Sequence, residues 1–111
     1  MVLINSNEAK RKGDDSFDNM KKRSLENNYK APYLIDKNNK LADAFGANTT
    51  PHVFLFNKDL KLVYTGAIDD AVKSSKDVEE KWLENALNDL GVGKKIKPNK
   101  TRNSGCSIKR V

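Results

Sequence analysis

Three short, uninterrupted apolar runs decide what this chain can fold into: Val2-Leu3-Ile4, Tyr33-Leu34-Ile35 and Val53-Phe54-Leu55-Phe56. Runs of this length suit strands better than helices, and the lack of alternation inside them suits strands covered on both faces. The first run ends in Asn5-Ser6-Asn7, which is turn chemistry. A helix is expected from about 16 to 27, with Asp15 as its cap, Asp18 three residues on, and Phe17, Met20 and Leu25 as a modest apolar stripe. Pro32 pre-orders entry into the second run. Asp36 then caps a helix from Lys37 to Phe45, which Gly46 stops. Strand, helix, strand in this order is a βαβ unit, whose strands run parallel because only a crossover connection can join them.

The second half changes character. After Val53–Phe56 comes Asn57-Lys58-Asp59, a turn, and then Leu60, Leu62 and Tyr64 alternating with Lys61, Val63 and Thr65. That alternation reads as a strand nearer an edge, antiparallel to the one before it. A last helix is expected from about 75 to 90. Ser74 and Asp77 have capping-box spacing, and the acids Asp77, Glu79 and Glu80 suit its N-terminal end. Val78, Trp82, Leu83, Ala86, Leu87 and Leu90 give it one apolar face, and Gly91 is positioned as its C-cap. The fold class expected is therefore α/β: two parallel strands, an antiparallel hairpin and three helices.

Several functions are excluded at once. At 111 residues the chain is long enough for one hydrophobic core, not two. No apolar run approaches the roughly 18–20 residues that span a bilayer. Cys106 is the only cysteine and His52 the only histidine, so neither an internal disulfide nor a four-ligand zinc site can form. The acidic residues are scattered over helix-like surfaces, and no metal site and no cofactor is implied. No leader-like segment precedes the first strand, and the compartment is left unassigned.

Charge divides the chain more sharply than composition does. Seven basic residues (Lys94, Lys95, Lys97, Lys100, Arg102, Lys109 and Arg110) and no acidic ones fall between 94 and 111, while residues 1–93 carry 14 basic against 15 acidic. The formal charge of +6 thus belongs to the C-terminal segment. The organisation expected is a domain at 1–93 and a basic tail at 94–111 that contains the only cysteine. Two readings of that tail stand: a solvated, poorly ordered terminus, or a site of weak, salt-sensitive contact with polyanions. It has no aromatic residue on which a base could stack.

The ordered set of elements, with Thr50-Pro51 opening the buried strand, resembles the thioredoxin-like redoxins. Within them it is similar to bacterial redoxin-domain proteins of thiol–disulfide isomerase, thioredoxin or AhpC/TSA type. The resemblance is carried by Ile4-Asn5-Ser6-Asn7, Asp15-Ser16-Phe17 through Met20-Lys21, Pro32-Tyr33-Leu34, Phe45-Gly46-Ala47, and Thr50-Pro51-His52-Val53-Phe54. It continues through Leu62-Val63-Tyr64-Thr65-Gly66-Ala67-Ile68-Asp69-Asp70 and Gly105-Cys106-Ser107-Ile108-Lys109. It implies a mixed sheet with helices on both faces. It also implies an N-terminal strand and helix bearing Cys-x-x-Cys or a peroxidatic cysteine, with that strand central, between the strands at Ile4 and Phe54. These residues lack it, so the chain reads as the C-terminal two-thirds of such a protein, starting at its third strand. Strands at Ile4 and Phe54 that have lost a central neighbour are expected to pair directly or to exchange with a second copy.

Function follows from the resemblance and is tempered by the cysteine count. A thiol–disulfide oxidoreductase or isomerase acts on protein thiols and disulfides, in the bacterial cytoplasm or periplasm, and needs a pair of cysteines. This chain by itself is expected to be inactive. The alternative is a non-catalytic thioredoxin-like binding module that acts through the proline loop or the basic tail. Thr50 and Pro51 match the family's substrate-facing cis-proline loop. His52 beside it is either a proton carrier or a packed histidine. Cys106, flanked by cations that favour thiolate, is either a partner for mixed disulfides or a thiol with no task. Asp69 and Asp70 read as loop or cap residues.

Overall fold

The computed structural model describes residues 1–70, 78–103 and 105–110. It is an α/β protein with three α-helices and three small sheets among the described residues. The expected capping box at Ser74 and Asp77 lies outside the described residues. By contacts the chain divides into two units, residues 1–48 with 107–111, and residues 49–106.

In the first unit, β1 (Leu3–Asn5) pairs in parallel with β2 (Tyr33–Ile35), Ile4 opposite Leu34. This is the arrangement the two apolar runs and their crossover require. Between them lies α1 (Phe17–Glu26), whose N-cap is Ser16 and not Asp15: the Ser16 hydroxyl accepts the Asn19 N–H at 3.1 Å. A serine hydroxyl in this position contributes about 1 kcal/mol. Of the expected stripe only Met20 is buried, while Phe17 and Leu25 are 58% and 81% exposed. After β2 the chain makes one tight 3-10 turn, Lys37–Asn39, before α2 (Lys40–Phe45). Asp36 still serves the helix, from further back than a standard cap, by accepting the N–H groups of Leu41 and Ala42 at 2.8 and 2.9 Å. Gly46, in the left-handed region, ends α2 as expected.

In the second unit, β4 (Val53–Phe56) and β5 (Leu62–Gly66) form the antiparallel hairpin, Leu55 opposite Tyr64, with an irregularity beside Phe56. Asn57 organises the turn, its side-chain oxygen accepting from the N–H groups of Asp59 and Lys61. Leu60 belongs to that turn and is 82% exposed, so the alternation begins only at Leu62. The unit's last helix, α3 (Trp82–Gly91), runs through Gly91 to a C-cap at Val92. Its core consists of Tyr64, Ala86 and Ile96, with Val53, Leu55, Val63, Trp82 and Leu90 packed against them.

Two expectations fail here. The strands do not form one mixed sheet: β1–β2 and β4–β5 are separate two-stranded ladders, and no strand among the described residues bonds to both. Nor is 94–111 a loose tail beyond a boundary at Gly93. Ile96 is buried in the second unit's core, where the Thr101 N–H donates to the Thr65 carbonyl and the Thr65 N–H to the Asn99 carbonyl. Within the first unit Ile108 donates to the Asn48 carbonyl, Lys109 bonds with Asn7 and Ala9, and Arg110 with Asp43 and the Ala47 carbonyl. Charge density had suggested solvation. A few well-placed uncharged groups, Ile96 and Thr101 above all, decide otherwise.

Candidate functional site

The candidate site is the Thr50–Pro51–His52 loop of the second unit. It is entered by β3 (Thr49–Thr50), and the Thr50–Pro51 peptide is cis. Thr50 and Pro51 are both exposed. β3 pairs with β6 (Cys106–Ser107), and Cys106 is an exposed free thiol. The junction is tight: a Cβ at Gly105 would run into the Thr50 carbonyl, with the carbonyl carbon 3.0 Å away. Glycine is therefore needed at 105 for the segment bearing Cys106 to lie along Thr50. The side chain of Asn103 adds a hydrogen bond to the Thr49 hydroxyl. Thr50, Pro51 and Cys106, singled out separately in the sequence, are thus assembled on one edge of one unit.

His52 turns inward. Its Nε2 lies 3.1 Å from the Thr65 hydroxyl, and its ring stacks on Phe54 at a centroid distance of 4.3 Å. Nδ1 is buried with no hydrogen-bond partner among the described residues. Burial pushes its pKa below the ordinary histidine value, so the neutral ring is favoured. His52 is thus packed against Thr65 and Phe54 within the second unit.

Behind the loop, Gly66 brings β5 against the 99–103 segment. The Tyr64 hydroxyl bonds to the Ala67 carbonyl and lies 2.8 Å from the Thr101 hydroxyl, which also accepts the Ala67 N–H at 2.9 Å. Burial raises the Tyr64 pKa, against the lowering effect of the Thr101 hydroxyl, so this residue is a neutral anchor. Asp70 is likewise structural. Backbone N–H groups at Glu80 and Glu79 hold its carboxylate below the usual range, and its own N–H donates to the Glu80 carbonyl.

Sequence reasoning missed a polar network in the first unit, at the carboxyl ends of β1 and β2. The Asn5 amide donates to Asp15 at 2.9 Å and to the Tyr33 hydroxyl at 3.1 Å. Arg11 donates to the side chain and carbonyl of Asn5, to the Asp15 carbonyl and to Glu8. Ser6 donates to Asp36 at 2.9 Å, and the Asn39 amide to the Ser6 carbonyl. Burial would raise the Asp36 pKa, but the N–H groups of Leu41 and Ala42, the Ser6 hydroxyl and the Arg110 charge together lower it. The signal was visible: polar residues follow directly on both parallel strands, where α/β folds collect polar groups. With its donors and acceptors matched inside the unit, the network fixes the two strand ends.

No family model and no curated protein matches the chain. Solved structures do, among them two of uncharacterized proteins. A structure described as an uncharacterized conserved protein from Geobacillus kaustophilus is 38% identical, with a TM-score of 0.89 over 99% of this chain and 59% of the other. A hypothetical protein from Sinorhizobium meliloti is 33% identical, with a TM-score of 0.88 over 99% of this chain and 61% of the other. The chain therefore spans about three-fifths of the length of each relative. Among the described residues no group of three or more His, Cys, Asp or Glu is placed to hold a metal ion, and no helix is long and apolar enough to cross a membrane.

Proposed function

We propose that this chain is the substrate-docking part of a thioredoxin-like thiol–disulfide oxidoreductase or isomerase, with an extended protein segment laid against Thr50–Pro51. The observation that carries the reading is the juxtaposition at that loop. A Thr-Pro segment opens an antiparallel hairpin directly after a parallel βαβ unit, and an exposed thiol sits on the strand paired with the loop's own.

The chemistry limits what the chain does alone. Reducing one disulfide takes two electrons and two protons, supplied when two thiols are oxidised to a disulfide. A single thiolate at Cys106 attacks one sulfur of a substrate disulfide, releases the other as a thiolate, and stops at the mixed disulfide. The docking edge supplies backbone groups for an extended segment, and the second thiol comes from elsewhere.

The test is a titration of ¹⁵N-labelled chain with S-carboxymethylated insulin B chain, an unfolded peptide without free thiols. Saturable amide shifts at Thr49, Thr50, His52 and 105–107 are expected; shifts confined to α1, or none, defeat the proposal. A dithiol-driven insulin reduction assay of this chain is expected to show no turnover. The longer Geobacillus kaustophilus protein separates the oxidoreductase reading from a non-catalytic binding module, since only the former reduces insulin.

A further inference from the structure

The cationic segment 94–103 is held in a fixed shape on the second unit, and none of its charges is ion-paired with a described residue. Ile96, its one aliphatic side chain, is 7% exposed in the core. Thr101 is tied to Thr65 through the backbone and to Tyr64 and Ala67 through its hydroxyl. The Asn99 carbonyl accepts the Thr65 N–H at 3.1 Å, beside the parallel bridge between Thr65 and Lys100. With these inward groups fixed, Lys94, Lys95, Lys97, Lys100 and Arg102 are all exposed, and none of them is ion-paired with a described residue. Lys100 and Arg102 flank the inward-facing Thr101, so their side chains leave on one side of an extended segment, about 6–7 Å apart along it.

We infer that this face binds the phosphate backbone of a double-stranded nucleic acid without reading its sequence. Charge complementarity selects a polyanion, and the missing features select which one. A single-strand site stacks bases on aromatic side chains, and residues 94–103 contain none. Stable attachment to an anionic membrane needs a second, apolar signal, yet the aliphatic side chain here points into the core. A protein partner is recognised through aromatic or aliphatic anchors buried at the centre of the interface, which this track of cations does not offer. An ordered row of unpaired cations fits backbone contact, whose free energy comes from counterion release. The inference is independent of the oxidoreductase reading, which concerns Thr50–Pro51.

The experiment is fluorescence anisotropy of a labelled mixed-sequence DNA duplex titrated with the full chain at several salt concentrations. With five phosphates neutralised, log Kobs falls against log [salt] with a slope of about −4.5, a loss of roughly 500-fold between 50 and 200 mM salt. The exposed triple variant Lys97→Gln, Lys100→Gln, Arg102→Gln is expected to reduce the slope to about −1.8, or roughly 12-fold over the same range. The pair Lys21→Gln, Lys22→Gln on α1 leaves it unchanged. Lysine acylation read by mass spectrometry gives a variant-free check: duplex is expected to protect Lys97 and Lys100 but not Lys21 or Lys22. The inference is overturned by no binding at 20 mM salt, by a slope indifferent to the triple variant, by protection elsewhere, or by tighter binding to anionic vesicles or single strands than to duplex.

Discussion

Substituting Gly66 by alanine puts the packing behind the candidate loop to its most direct test. Gly66 has φ +140°, a conformation that L side chains rarely adopt, and a Cβ there would lie 2.6 Å from the Thr101 carbonyl oxygen and 2.9 Å from its nitrogen. The added methyl also meets the Thr101 hydroxyl. Holding a non-glycine residue in such a region costs about 1–3 kcal/mol. Moving Thr101 away sacrifices its N–H bond to the Thr65 carbonyl and its hydroxyl contacts with Tyr64 and Ala67. Each of these contributes about 0.5–1.5 kcal/mol, so a total near 3–5 kcal/mol is expected even if some bonds survive. That is a large part of the roughly 5–15 kcal/mol available to a domain. Gly46→Ala is the control: φ is +73° and nothing lies within 4 Å of its added Cβ, so only the backbone term of about 1–2 kcal/mol applies. Urea unfolding followed by Trp82, which packs against the core containing Tyr64, measures Gly66→Ala, and far-UV circular dichroism of the same samples measures Gly46→Ala. At an m-value of about 1.5 kcal/mol/M, Gly66→Ala lowers the midpoint by roughly 2–3 M and Gly46→Ala by about 1 M. Thr101→Ala is not expected to rescue Gly66→Ala, because the collision with the Thr101 backbone remains. Equal costs at the two glycines would refute the tight approach, and full rescue by Thr101→Ala would reduce it to a clash with one hydroxyl.

Three further outcomes are expected. Because burial depresses the His52 pKa, the unfolded chain binds the proton more readily, so stability is full above about pH 6.5 and declines as pH falls through that value; this slope disappears in His52→Gln, as urea midpoints between pH 5 and 8 will show. The Asp36 pKa is also lowered, so its carboxylate stabilises the fold above its ordinary value of 3.8, and that contribution is lost as pH falls through the lower folded pKa; Asp36→Asn is expected to lower the midpoint at pH 7 and flatten the acid limb. Thiol titration of the native chain should find one reactive group, and the disulfide-linked dimer formed in air should vanish in Cys106→Ser, while a dimer that persists would point to non-covalent pairing.

The elements legible in the sequence were those that local chemistry dictates. The two apolar runs at Ile4 and Leu34 paired in parallel, the Asn57 turn made a hairpin, and Gly46 stopped α2. Thr50, Pro51 and Cys106 were identifiable, but their assembly was not, because it depends on a glycine whose backbone lies against a residue 55 positions earlier. Asp15 is a cap by residue type, yet Asn5 and Arg23 engage its carboxylate and the hydroxyl of Ser16 takes its place. Leu60 fits a strand alternation, but Asn57 closes the turn around it. The placement of the segment after Gly93 is not legible in its charge density, which describes solvation; Ile96, Thr101 and a handful of backbone bonds decide it.

The division into units has a consequence in time. The chain leaves the first unit at Asn48 and returns to it at Ser107, so that unit is completed by residues made long after its body. The Asn48 carbonyl waits for the Ile108 N–H, and Asn7 and Ala9 wait for Lys109. At roughly 5–20 residues per second, a ribosome takes about 3–12 s to make the intervening stretch. Through those seconds the exposed apolar side chains of Val2, Ile4, Leu34 and Ile35 are carried on a structure still lacking its closing strokes. The second unit is different: its hairpin is adjacent in sequence and ready early, but it too waits, for Ile96 and Thr101. In the order of synthesis, the residues that lock each unit emerge after that unit's body.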